Sequence, residues 1–171
     1  MGPTPPRVDP GHLVGLVRRA QAADPMARSD LLELLIPSVR RWCGPIALEE
    51  DADATQETLI AVLRTLHQLR EPAALFGWVR TIAVREAIRV AKQRPRPAEL
   101  TELPTPGDPQ LIVDVQDVLT RLSPEHRAIL MLRDLEGLSE HHAAELLAVP
   151  VGTVKSRLAR ARRSFAKEWK T

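Results

Sequence analysis

Several residue types are scarce in this chain of 171 residues, and each scarcity excludes a class of protein. Cys43 is the only cysteine, which excludes an internal disulfide framework and a zinc site built from several thiolates. Leucine, isoleucine, valine and alanine must fill the core, because tyrosine is absent and the large aromatic residues are only Phe76, Phe165, Trp42, Trp78 and Trp169. This composition favours helices packed on helices over β-sandwiches.

Motifs of enzymes and metal sites are also absent. No two glycines stand as G-x-G and no G-K-[ST] sequence occurs, so nucleotide-binding loops are excluded. No G-x-S-x-G frames a nucleophile, and no H-E-x-x-H includes any of the histidines, which are His12, His67, His126, His141 and His142. We therefore expect no catalytic residue, no metal and no cofactor, and we expect Cys43 to be a small buried side chain.

Long apolar runs are missing as well. No stretch approaches the roughly 20 apolar residues that a membrane span requires. The N-terminal sequence MGPTPPRVDP lacks the apolar centre of a signal peptide. Together with the single cysteine, these features predict a cytoplasmic protein that does not insert into a membrane.

Charge is nearly balanced overall but strongly segregated along the chain. The formal net charge is +2, yet residues 46–57 hold five acids and no base. Residues 78–96 hold six bases and one acid, and residues 150–171 hold seven bases and one acid. Arginine supplies 20 of the 24 bases, and its planar guanidinium suits phosphate and guanine, although GC-rich coding would also produce this bias. Two basic surfaces and one acidic surface are predicted.

Proline marks the starts of helices in this sequence. Four prolines follow a residue that can cap a helix, as Asp9-Pro10, Asp24-Pro25, Asp108-Pro109 and Ser123-Pro124. Apolar spacing then predicts helices over about 10–23, from 25, and over 51–69, 74–93, 109–122, 124–136, 139–148 and from 151. We expect Pro37 to kink or end the second helix before a turn at 39–42.

Residues 94–108 are rich in proline and almost without apolar periodicity, which is typical of a semi-extended linker. The sequence therefore predicts an all-α protein of two small helical domains, residues 1–93 and 109–171. The second domain ends in a short helix, a tight turn and a basic helix, which is the order of a helix-turn-helix.

The terminal helix divides into an apolar stripe and a basic side. At 100° per residue the apolar side chains fall within about 80° of one another. The other side presents polar and basic residues that could reach a DNA groove, namely Thr153, Lys155, Ser156, Arg157, Arg160 and Arg163. An ordinary solvated helix face is the alternative, but such faces mix charge signs and this one carries a single acid.

The C-terminal residues resemble a known family. The run LSPEHRAILMLRDLEGLSEHHAAELLAVPVGTVKSRLARARRSF is similar to the promoter-recognition domain of bacterial RNA polymerase sigma factors of the extracytoplasmic-function (ECF) class. Its most specific part is PVGTVKSRLARAR, residues 150–162. The resemblance implies that the basic side of the last helix reads the −35 promoter element. This run alone would also fit a regulator that acts without polymerase.

The N-terminal half resembles the other domain of the same family. The segments LVRRAQAADPMA, DADATQETLIAVLRTL and FGWVRTIAVREAI match it in order and spacing. In the family, the face that holds Asp53, Gln56 and Glu57 here binds the clamp helices of the polymerase β′ subunit. Without the resemblance, the same acids could simply favour the positive end of a helix dipole.

The predicted helix 74–93 has a basic side that contains one tryptophan. Single-stranded bases stack on aromatic rings while cations neutralise phosphates, which suits Trp78, Arg80, Arg85, Arg89 and Lys92. The resemblance implies that this side opens the −10 element and that the preceding residues 70–77 capture a flipped base. Alternatively, Trp78 covers the edge of the core. Family members usually carry Asn where this chain has Arg85, which leaves the −10 sequence preference open.

These observations lead to an expected function with two alternatives. The resemblance implies a non-catalytic initiation factor that binds core RNA polymerase, through β′ and β, and promoter DNA. The linker would permit an anti-sigma factor between the domains, and the sequence does not decide whether one exists. The alternatives are a DNA-binding regulator that does not use polymerase and an enzyme, which the motifs do not favour.

Overall fold

The computed structural model describes residues 9–93 and 109–169, and within these ranges it contains helices and no strand. The first domain comprises α1 (Pro10–Gln21), α2 (Pro25–Ala47), α3 (Asp51–Thr65) and α4 (Leu75–Gln93). The second comprises α5 (Pro109–Thr120), α6 (Pro124–Leu130), α7 (Glu140–Leu147) and α8 (Val151–Glu168). The predicted all-α fold is confirmed. The predicted linker, residues 94–108, lies outside the described residues.

The predicted N-cap side chains accept hydrogen bonds from backbone N–H groups in the first turns of their helices. Asp9 accepts a hydrogen bond from the backbone N–H of His12 at 2.9 Å, and Asp24 accepts one from that of Met26 at 3.0 Å. Ser123 caps α6 and Ser139 caps α7 in the same way. Each of these side chains satisfies an N–H group that has no partner within its helix.

Of the two outcomes expected at Pro37, an end of the helix is wrong, because α2 continues through Pro37 and Pro45 to Ala47. Proline removes one hydrogen bond from a helix and its ring crowds the preceding turn. Burial on both sides of Pro37 compensates for this cost, since Leu35, Val39 and Trp42 are all almost fully buried. The residues 39–42, expected to form a turn, are therefore part of the central helix of the first domain.

The second half of the predicted helix 124–136 also differs from an ordinary α-helix. After α6 the chain forms a π-helical turn over Met131–Leu135. Glu136 follows this turn, and Gly137 then adopts a positive φ of +67°. The positive φ at Gly137 ends the helix as expected. Among the described residues this is the only π-helical turn, and Glu136 follows it directly.

The two domains share one continuous apolar core. In the first, α2 packs against α1, α3 and α4, and in the second α8 packs against α6 and α7. In addition, α2 and α4 contact α6, and α4 contacts α7. The second domain thus lies against the side of the first domain that α2 and α4 form.

Candidate nucleic-acid and polymerase interface

The helix-turn-helix is formed by α7 and α8. Between them, Ala148 adopts the left-handed conformation at φ 52°, and the N–H of Val149 bonds back to the carbonyl of Ala144 at 3.0 Å. This arrangement is the usual way to end a helix sharply. Pro150 then begins α8 with a fixed φ, so the turn is short and α8 is held at a set angle to α7.

The basic side of α8 is accessible. Its apolar stripe is buried through Val154, Leu158 and Ala161, while the opposite side faces solvent. Of the predicted −35 residues, Lys155, Ser156, Arg160 and Arg163 are exposed, and Thr153 and Arg157 are half-buried. The sequence prediction of a divided helix is confirmed in its geometry.

Local bonds arrange the side chains on this side of α8. Arg160 donates from Nε to the carbonyl of Ser156 at 3.3 Å, and Lys155 lies 3.6 Å from Glu140 of α7. The imidazole of His126, at the start of α6, lies near the positive charges on this side of α8. Burial lowers the pKa of its imidazole, and the positive charges of Arg157 and Arg160 lower it further.

The predicted polymerase-binding residues lie together on α3. Asp53, Gln56 and Glu57 are all exposed, as their spacing predicts. With Arg89 and Gln93 of α4 they line a polar cleft of about 300 Å³. An apolar groove of about 510 Å³ lies on the other side of Gln56, between α2 and α3. The acidic face therefore borders an apolar surface, which is a combination suited to binding another protein.

The predicted −10 residues lie on α4, and most of them contact other groups of the protein. Trp78 is half-buried and packs against the core. Arg89 pairs with Glu57 and Glu86. The remaining cations reach the second domain: Arg80 lies 3.6 Å from Glu136, Arg85 donates to the carbonyl of Leu146 at 3.1 Å, and Lys92 pairs with Glu125.

Glu136 is at the centre of a polar cluster between the domains. Its carboxylate is 11% exposed and lies 3.2 Å from Arg41 of α2. It also accepts a hydrogen bond from the indole N–H of Trp42 at 3.3 Å. The Arg41 guanidinium in turn lies 5.8 Å from the centre of the Trp42 ring. Three groups of the first domain, including Arg80, therefore converge on one carboxylate of the second.

Arg127 of α6 forms a second contact between the domains. It is buried, and its guanidinium donates to the carbonyls of Ile46 and Leu122 at 2.7 Å each and of Leu119 at 3.3 Å. Ile46 lies in the last turn of α2, Leu119 lies in the last turn of α5, and Leu122 lies two residues after α5 ends. Carbonyls at helix ends lack partners within the helix and carry partial negative charge, so one cation stabilises both ends.

Comparison with known proteins decides the family. The family description "Sigma-70, region 4" matches residues 112–165, which include most of the second domain. The chain is 31% identical over 169 residues to the ECF RNA polymerase sigma-E factor of Haemophilus influenzae, and the match covers 86% of the chain and 89% of that protein. The chain belongs to the ECF sigma factors.

Other relatives of this ECF sigma factor are longer. It is 34% identical to the ECF RNA polymerase sigma factor SigE of Mycolicibacterium smegmatis, with 66% of the chain and 49% of that protein covered. For SigM of Mycobacterium tuberculosis the identity is 36%, and 69% of the chain and 64% of that protein are covered. The chain thus spans about half the length of the first relative and about two thirds of the second.

Solved structures show the same fold. The sigma factor RpoE of Bartonella quintana, determined with the anti-sigma factor NepR, superimposes with a TM-score of 0.64 at 22% identity. That superposition covers 84% of this ECF sigma factor and 96% of the RpoE chain. CnrH, determined with the cytosolic domain of CnrY, gives a TM-score of 0.61 at 20% identity and covers 89% and 93% of the two chains.

Sequence reasoning missed the residues that join the two domains of this ECF sigma factor, namely Arg41, Arg127 and Glu136. A weak signal existed for Arg127, because it lies directly before Ala128 and Ile129 on the buried side of α6. Nothing in the sequence relates Glu136 to Arg41, since 95 positions separate them.

Cys43 lies in the core of the first domain, as the sequence predicts. Cys43 is buried, and burial raises the pKa of its thiol to about 11, although the nearby hydroxyl groups of Thr58 and Thr55 oppose the rise. His141 and His142 are exposed at the start of α7. Within residues 9–93 and 109–169, no group of acidic, histidine or cysteine side chains could hold a metal ion, and no helix is long and apolar enough to span a bilayer.

Proposed function

We propose that this ECF sigma factor binds core RNA polymerase and directs it to promoters that carry a specific −35 and −10 element. The observation that carries the proposal is the separation of one acidic and two basic surfaces onto α3, α4 and α8. A factor that must contact both a protein and DNA at two positions needs surfaces of this kind. Nucleotidyl transfer belongs to the polymerase, and the factor itself catalyses nothing.

The second domain reads the −35 element. Exposed donors on α8 can reach base edges and phosphates in the major groove, while the buried stripe keeps the helix attached to its domain. Lys155, Arg157, Arg160 and Arg163 supply charge, and Thr153 and Ser156 are small enough for close approach of the helix backbone.

The first domain binds polymerase and the −10 strand. Asp53, Gln56 and Glu57 bind a basic surface of the polymerase, and the adjoining apolar groove adds buried contact area. Trp78 supplies a ring on which an unstacked base can rest, and its basic neighbours Arg80, Arg85, Arg89 and Lys92 neutralise phosphates.

Regulation by an anti-sigma protein is part of this proposal. It is supported by the fold shared with the sigma factor RpoE, which was determined with the anti-sigma factor NepR, and with CnrH, which was determined with the cytosolic domain of CnrY. The two linked domains of this chain offer surfaces that a single protein partner could cover.

A reconstituted transcription assay tests the proposal. Purified full-length chain and core polymerase are combined with promoters selected from chromosomal DNA that the factor enriches. Run-off transcripts that require both components are the expected result. If the chain binds duplex DNA tightly by itself and never associates with core, it acts as a regulator without polymerase and the proposal is wrong.

A further inference from the structure

The side chain of Gln21 joins α1 to the segment between α3 and α4. This segment, residues 66–74, which we name the α3–α4 loop, contains two short 3₁₀ turns, Leu66–Gln68 and Pro72–Ala74. The Nε2 of Gln21 donates hydrogen bonds to the carbonyl of Leu66 at 2.9 Å and to that of Leu69 at 2.8 Å. A side-chain amide carries two N–H groups, so each carbonyl receives one of them.

These two bonds tie the backbone of the α3–α4 loop to a rigid helix. The bonds within the loop are local: the N–H of Leu69 bonds to the carbonyl of Leu66 at 3.1 Å, and that of Ala74 bonds to the carbonyl of Glu71 at 3.0 Å. Carbonyls at the end of a helix have no partner within the helix, and leaving them without a donor is costly. Gln21 supplies that donor, and it restricts a segment of a kind that otherwise moves more than helices do.

The α3–α4 loop has a buried side and an exposed side. Leu66, Leu69 and Pro72 are buried, and α1 also packs against the turn Pro72–Ala74. The exposed side is polar and consists of His67, Gln68, Arg70 and Glu71. These side chains offer hydrogen-bond donors and acceptors of the kind that the edge of a nucleobase requires.

The α3–α4 loop leads directly into the surface proposed for the −10 strand. The helix α4 begins at Leu75, and Trp78 lies within its first turn. A base that leaves the stack needs an aromatic or apolar surface and partners for its Watson–Crick edge. Trp78 provides the first, and the polar side of the loop provides the second. Recognition of one base over another requires such groups to be held within about 0.5 Å of the productive geometry.

We propose that Gln21 is a positioning residue for recognition of an unpaired base of the −10 strand. Gln21 does not touch the base; it holds the carbonyls of Leu66 and Leu69, and through them the exposed side of the α3–α4 loop. The inference rests on the proposed function, because it requires that the first domain binds the −10 strand. Phosphate binding by the cations of α4 does not depend on Gln21. Loss of Gln21 therefore lowers discrimination between bases more than it lowers affinity for single-stranded DNA.

Two substitutions remove the hydrogen bonds in different ways. Gln21→Glu keeps the shape of the side chain but replaces the donating amide with a carboxylate, which only accepts hydrogen bonds. Gln21→Leu removes the donors without adding a charge and keeps a side chain of similar volume. Gln116→Glu makes the same chemical change at an exposed position on α5 and is the matched control.

Base discrimination is measured with holoenzyme, assembled from the full chain and core polymerase, and with fluorescent single strands of about 12 nucleotides. The strands carry the −10 sequence of a promoter that the run-off assay identifies, and each base is replaced in turn. The ratio of the Kd values for the replaced and the original base gives the discrimination at each position. Affinities for core polymerase and for a −35 duplex are measured with the same proteins.

The parent is expected to discriminate by about tenfold at the position whose base leaves the stack. Gln21→Glu and Gln21→Leu should each lower this ratio by about fivefold, because the loop no longer has one fixed shape. Discrimination at the other positions, affinity for core polymerase and affinity for the −35 duplex should equal those of the parent. Gln116→Glu should match the parent in every measurement.

Three results would overturn the inference. If both Gln21 variants discriminate as the parent does, the α3–α4 loop does not depend on Gln21. If they lose affinity for core polymerase and the −35 duplex in the same proportion, Gln21 supports the fold as a whole. If only one of the two variants loses discrimination, the shared loss of donors is not the cause. Each of these results leaves the proposed function standing, whereas a parent without discrimination at any −10 position would contradict the proposed −10 function itself.

Discussion

Arg89 of α4 donates a hydrogen bond to Glu57 of α3, with 3.0 Å between Nη2 and Oε2. The same guanidinium bonds Glu86, and this hydrogen bond is the main reason that the pKa of Arg89 is raised. The surface proposed for polymerase and the surface proposed for the −10 strand therefore meet in one ion pair. A substitution at Glu57 therefore also releases Arg89 from one of its two carboxylate partners.

Charge reversal at Asp53 is expected to weaken binding to core polymerase. Asp53→Lys places a cation on the acidic face, which would repel a basic partner and lower affinity by about tenfold or more. Affinity for a −35 duplex should stay the same, because α8 is in the other domain. Asp30→Lys, at an exposed position on α2, is the control. Equal losses of polymerase binding in both variants would contradict the assignment of the face.

Arg160→Ala is expected to weaken binding of the −35 duplex. Loss of one phosphate contact lowers the slope of log affinity against log salt by about one. Titrations of the full chain between low and moderate salt measure this slope. Arg18→Ala removes an exposed arginine from α1 and should leave the slope unchanged. An unchanged slope in Arg160→Ala would show that this residue does not touch phosphate.

Arg127→Met is expected to destabilise the fold. The buried guanidinium donates to three carbonyls, two in the last turns of α2 and α5 and one just after α5, and methionine leaves them without that donor. Hydrogen bonds to a charged group stabilise by about 1.5 to 3 kcal/mol, so the free energy of unfolding in urea should fall by an amount of this order. Arg121→Met removes an exposed arginine and should have a much smaller effect. A comparable loss in both variants would argue against a special role for Arg127.

The lowered pKa of His126 predicts that the stability of the fold depends on pH. Burial and the nearby arginines hold its pKa below 6.5 in the folded state, so the unfolded chain binds a proton first as the pH falls. The free energy of unfolding should therefore decrease below about pH 6.5. In His126→Gln this part of the decrease should be absent when urea unfolding is compared at pH 7.5 and pH 5.5. An identical decrease in both proteins would mean that other groups cause it.

Much of the architecture could be predicted from local patterns. The sequence predicts the helix starts at Asp9, Asp24 and Ser123, because a capping residue and the proline after it act within one turn of the chain. The apolar stripe of α8 can also be predicted from the sequence, because it depends only on residues within a few turns of one another. Pro37 was misjudged because a local rule cannot weigh the burial of the residues around it, which the rest of the domain provides.

The amino-acid sequence by itself determined the helices, their apolar faces and the segregation of charge onto α3, α4 and α8, because each depends on residues within a few turns of one another. The tertiary structure alone decided that the basic face of α4 meets Glu125, Glu136 and the end of α7. Those contacts join positions as far apart as Arg41 and Glu136, and they form only when packing brings the two domains together. Periodicity describes one helix at a time, whereas the meeting of two charged faces depends on how whole domains bury their apolar surfaces.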